Sequence, residues 1–161
     1  MIRHYEETTL ILASPKEVFN YVDDHSRFSS HMNQSSWMLG GGKMETFVDA
    51  GNGQKVGSHI RMAGRALGIS LSLDEVVPRH EPPKIKTWET VGIPELLVIG
   101  SYRMGVEIKP HQARSRLKVF IDYDLPPTHV WLGKLFAGFY AAWCVRQMLA
   151  TALKSSSLIL H

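Results

Sequence analysis

Leu132-Gly133-Lys134-Leu135-Phe136-Ala137-Gly138-Phe139-Tyr140-Ala141-Ala142-Trp143 is the stretch on which the reading of this chain turns. Together with Met148, Leu149, Ala152 and Leu153 it repeats apolar residues at intervals of three and four. That spacing predicts one long amphipathic helix, from about Thr128 to Ser156. A membrane span is the rival reading of the same letters. Lys134 and Arg146 would then lie in hydrocarbon at about 2.5–3.5 kcal/mol each, and Gln147 would add to that cost. The core helix is preferred.

Outward from this helix the pattern changes to a period of two. In Arg114 to Leu125, the residues Leu117, Val119, Ile121 and Tyr123 alternate with Arg116, Lys118, Phe120 and Asp122, as in a strand with one buried face. Leu96 to Ile108 predicts a long strand with Val98, Tyr102, Met104, Val106 and Ile108 on one face. Lys84 to Thr90 is a further strand whose phase stays open, with Ile85 or Trp88 inward. Gly68 to Val77 alternates Ile69, Leu71 and Leu73 with Ser70, Ser72 and Asp74, and Lys55 to Arg65 precedes it. Pro78 to Pro83 reads as a rigid loop. Trp37 to Gly40 and Lys43 to Ala50 suggest strands around Gly40-Gly41-Gly42.

At the other end, β-branched Glu7 to Ala13 predicts a first strand. Ser14-Pro15-Lys16-Glu17 then has a capping hydroxyl, a proline fit for the first helical position and an acid at the positive helix end. A short helix follows, carrying Val18, Phe19 and Val22. A second is expected from about Ser26 to His31.

The 161 residues, 44% hydrophobic and 20% charged, suit one domain spanning 1–161 and argue against disorder. The net charge of +3 is too weak for a nucleic-acid partner. One cysteine, Cys144, excludes a disulfide framework. The polar opening Met1 to Glu7 carries no secretory leader, so a cytoplasmic protein is expected.

This order of elements resembles the START/SRPBCC (birch-allergen-like) superfamily, in its polyketide cyclase/dehydrase and lipid-transport branch. The likeness is carried by Ala13 to Phe19 with Val22-Asp23-Asp24. It is carried also by Asp74 to Pro78, Pro82 to Trp88, and the long last helix. The resemblance implies an α+β helix-grip fold: a curved antiparallel sheet wrapped around a long C-terminal helix, with two short helices after the first strand. It also implies an internal cavity for an apolar small molecule. No catalytic signature is among these residues, and one fold hosts many activities.

The expected ligand-binding lining is Met62, Leu71, Leu73, Tyr102, Met104, Leu117, Val119 and Ile121 from the sheet. The helix is expected to add Leu135, Phe136, Phe139, Tyr140 and Trp143. Each of these could equally be plain core. Seven methionines suit an adaptable pocket and suit irregular core filling as well.

For proton transfer, His31 and Tyr102 are the candidates, with Tyr140 and Asp122 behind them. Ordinary hydrogen-bonded roles compete with both. Arg61 or Arg103 would anchor a carboxylate if turned inward. Eight histidines show no compact ligand spacing, so neither metal nor cofactor is expected.

Three functions stay open: a carrier of a lipid- or polyketide-like molecule, a cyclase/dehydratase-type enzyme, and an interaction module with a filled core. A homodimer is compatible with each. Under the first two, Phe139→Ala is expected to weaken ligand binding.

Overall fold

The computed structural model describes residues 2–24, 28, 43–66, 69–96, 98–127 and 130–159. Its elements are β1 (Arg3–Ile11), α1 (Pro15–Val22), β2 (Lys43–Val48), β3 (His59–Ala66), β4 (Ile69–Glu81), β5 (Ile85–Glu95), β6 (Tyr102–His111), β7 (Arg114–Tyr123) and α2 (Val130–Ile159). The seven strands form one antiparallel sheet in the order β1-β7-β6-β5-β4-β3-β2. Among the described residues the sheet is not closed, and β1 and β2 are its edges. With α2 across its concave face, this is the α+β helix-grip architecture that the sequence led us to expect.

Local chemistry sets the boundaries. The Ser14 hydroxyl accepts from the Glu17 N–H at 3.3 Å, and the Glu17 carboxylate accepts from the Ser14 N–H at 3.0 Å. This reciprocal cap, with proline at the first helical position, starts α1 and turns Val18, Phe19 and Val22 into the core. Gln112, at φ 57°, makes the tight connection that lets β6 and β7 pair from Tyr102↔Tyr123 to His111↔Arg114. The first strand returns along β7, from Arg3↔Tyr123 to Ile11↔Ser115.

Curvature comes from β4 and β5, whose register shifts between Ser72 and Asp74 and again between Val76 and Arg79. Pro78 lies inside the second shift, where no ladder donor is required of it. The expected loop from Pro78 is therefore strand up to Glu81. Conversely, the expected strand over Leu96–Ile108 begins only at Tyr102. Just before it, the Gly100 N–H donates to the Asp124 carbonyl at 2.8 Å. The second short helix lies outside the described residues except for Phe28, which is helical and fully buried.

The core fills the space between the sheet's concave face and α2. Alternation holds as expected: Met62, Leu71, Leu73, Met104, Val106, Ile108, Leu117, Val119 and Ile121 are all buried. The open phase of β5 resolves with Lys86 and Trp88 inward. No helix among the described residues is long and apolar enough to cross a membrane.

Candidate functional site

Between the sheet and α2 lies a mostly apolar cavity of about 30 Å³. Strands supply Met62, Leu73, Glu75, Trp88, Tyr102, Met104 and Ile121. Leu96 and Ile99 come from the segment between β5 and β6, and Tyr140, Cys144 and Met148 come from α2. Its one strongly polar feature is a pair: the Tyr102 hydroxyl donates to Glu75 Oε2 at 2.5 Å. Burial, and then the charge of Glu75, hold the Tyr102 phenol well above its ordinary pKa. It therefore stays protonated and acts as a donor. Tyr140 and Cys144 are hydrogen-bonded to each other one turn apart on α2. Burial pushes the Cys144 thiol up to about 12 and Tyr140 well above the phenol range, so both are neutral.

A second polar cluster sits nearby, at the end of α1. The Asp23 carboxylate receives His80 Nε2 at 2.9 Å and Lys86 Nζ at 3.1 Å. Lys86 Nζ also donates to the Asp23 carbonyl at 3.3 Å, and lies 5.9 Å from the Trp88 ring centroid. The Lys86 side chain is wholly buried, and that burial lowers its pKa against the pull of Asp23. His80 packs edge-on against Phe19. This cluster ties α1 to β4 and β5 behind the Trp88 wall.

The expected site residues divide into groups. Met62, Leu73, Tyr102, Met104, Ile121 and Tyr140 come together around the cavity. Leu71, Leu117 and Val119 face the same way but pack as solid core beyond it. Trp143 is partly buried, flanking the core beside Tyr140.

Leu135, Phe136 and Phe139 do not line the interior. They are 59%, 45% and 72% exposed on the outer side of α2. The reason is steric. A Cβ on Gly133 would stand 2.5 Å from Pro126 Cδ, and Ala137 and Ala141 are fully buried above it. The helix approaches the sheet side too closely there for large side chains. Arg61 and Arg103 are exposed on the outer sheet face, Arg103 pairing with Glu89 at 2.8 Å. Asp122 is likewise on the outer face, bonded to His4. His31 lies outside the described residues. Among the described residues no three His, Cys, Asp or Glu side chains converge as a metal site would require.

Sequence reading missed Glu75, Lys86 and Asp23. One further step along the alternation Leu71, Leu73 puts Glu75 on the inward face. One step back from Trp88 does the same for Lys86. Both signals were present in the pattern. The partner Asp23 comes from a different element and has no local signature.

No protein-family model and no curated protein matches this sequence. Solved structures do. A protein of Thermus thermophilus superposes with TM-score 0.68 at 12% identity, covering 98% of this chain and 99% of its own. Norcoclaurine synthase from Thalictrum flavum, solved with dopamine and hydroxybenzaldehyde, gives 0.67 at 15%, covering 99% and 87%. The Zhui aromatase/cyclase from a Streptomyces species gives 0.62 at 13%, covering 94% of both chains. At these identities the shared property is the fold, the helix-grip arrangement described above.

Proposed function

We propose that the chain acts as one unit over residues 1–161 in the cytoplasm, enclosing a hydrophobic or amphipathic small molecule between the curved sheet and α2. The carrying observation is the contrast inside the cavity. Among the described residues its walls are apolar apart from the Tyr140–Cys144 contact and the Tyr102–Glu75 pair, and that second pair gives a guest a hydrogen-bonding anchor. Two similar folds, norcoclaurine synthase with its two aromatic ligands and the aromatase/cyclase, are proteins that handle ring compounds. A cavity of about 30 Å³ has room for water, whereas drug-sized guests occupy ~300 Å³ or more. Binding is therefore coupled to parting of α2 from the sheet. Met62, Met104 and Met148 supply walls that repack readily.

Native mass spectrometry of protein purified from its source is the test. A co-purifying small molecule is expected, and it should be lost in Met104→Trp, which fills the cavity. A guest retained at full occupancy in that variant would overturn the reading.

The same pair favours a second reading, an enzyme of the cyclase/dehydratase type. Glu75 would take a proton from the guest and Tyr102 would give one to a departing hydroxyl. The proton on Glu75 then passes to Tyr102 along their hydrogen bond, and water leaves. The raised pKa of Tyr102 makes it a poor proton donor, which is why binding comes first. A guest that loses water on standing with wild type, but not with Tyr102→Phe or Glu75→Gln, would establish the enzyme.

A further inference from the structure

The helix α2 is apolar on both sides, and a helix of that kind ordinarily has cover all round. Its inner side faces the sheet. The first three turns of its outer side present Trp131, Leu135, Phe136 and Phe139 to solvent, Trp131 at 62% exposure. Four large side chains at about half exposure amount to ~400 Å² of apolar surface, in the range of the largest patch on a typical monomer, which is often functional.

The patch continues past the helix. Antiparallel pairing gathers the end of β5 and the β7–α2 connection at one end of the molecule. An open cleft of about 600 Å³ there is lined by Ile93 and Pro94 on one side and Leu125 and Pro127 on the other. Ile93 is 80% exposed.

The charges select the occupant. α2 carries no Asp or Glu, and of its cations Arg146 is already paired with Glu7 of β1 at 3.3 Å, so it is Lys134 that accompanies the exposed rings. Lys134 sits among the exposed apolar residues of the helix, and the cleft is lined by one cation, Arg3, beside one acid, Asp124. A second copy packing the first turns of α2 against each other would set Lys134 against its own counterpart, on a helix that carries no acid. Anionic headgroups complement it, while the rings enter the boundary between headgroup and acyl chain.

We infer that this end of the molecule, the outer face of the first turns of α2 with the Ile93 tip, docks peripherally on an anionic phospholipid surface. The inference does not rest on a guest in the interior.

Co-sedimentation with vesicles of equal parts phosphatidylcholine and phosphatidylserine tests it. Wild type is expected to bind, more weakly to phosphatidylcholine alone and more weakly as salt rises. The double variant Trp131→Ser with Phe139→Ser should lose about tenfold in partitioning, and Lys134→Glu should lose part of it. All three side chains are exposed, so thermal melts of the variants should match wild type. Brominated lipid should quench the fluorescence of wild type more than that of Trp131→Phe. Wild-type binding that the double variant leaves intact would overturn the assignment. So would absent vesicle binding, whether the chain is monomeric or is a dimer, by analytical ultracentrifugation, that the double variant dissolves.

Discussion

The two sides of α2 are both apolar and differ in size. Over the first turns the inner side is built from Gly133, Ala137 and Ala141, with Tyr140, Cys144 and Met148 beyond them at the cavity, whereas the outer side of those turns carries Trp131, Leu135, Phe136 and Phe139. Small residues let the helix lie close against the sheet and its Pro126 connection, which leaves a tight interior. The rings that would otherwise have filled a cavity are displaced outward. Hydrophobicity alone therefore does not say which face of a helix is the core face. Distance of approach decides it.

The largest contrast should appear in thiol chemistry. Cys144, buried and held near 12, should label at least about a thousandfold more slowly than a thiol placed outside by Phe139→Cys. Alkylation followed by intact mass would show it, and equal rates would put the helix the other way round. Buried and exposed ion pairs should differ next. Asp23→Ala takes from the enclosed Lys86 its nearest carboxylate, and should cost about 3–5 kcal/mol in a denaturant melt. Arg103→Ala, which breaks a surface pair, should cost less than about 1 kcal/mol.

Packing gives a smaller separation. Ala137→Phe overfills the inner side and should cost about 1–3 kcal/mol. Phe139→Ala should stay within about 0.5 kcal/mol of wild type. Phe139 was expected on the cavity wall or in the core; at 72% exposure it is in neither.

The smallest effect is one of pH. Hydrogen bonds that exposed His4 donates to Asp122 first, and then to Glu6, raise its pKa above the ordinary imidazole value. The folded state thus keeps that proton longer than the unfolded chain does. The resulting stability is complete below the unfolded value and is lost as pH rises through the folded one. Subtracting the melting-temperature profile of His4→Gln from that of wild type should leave a slight fall with rising pH.

Much of the fold was legible because it rests on local patterns. Ser14-Pro15-Lys16-Glu17 announces α1 through its own capping atoms, and the alternation of Leu117, Val119 and Ile121 fixes the phase of β7. The strand through Pro78 was hidden because a register shift, a relation between two strands, makes room for the proline. The site was legible only in part. Tyr102 and Tyr140 stood out as inward tyrosines. Glu75 was not among the candidates, although period two places it on the same face as Leu73. Lys86 and Asp23 meet across 63 residues, and nothing near either predicts the other.

Fluorescence titration of an apolar probe, anilinonaphthalene sulfonate, into wild type, Met104→Trp and Phe139→Ala in lipid-free buffer tests the enclosed site most directly. Binding should survive in Phe139→Ala and vanish in Met104→Trp, with both variants melting cooperatively. Probe held fully by Met104→Trp and lost from Phe139→Ala would place the binding surface outside the molecule and contradict the account.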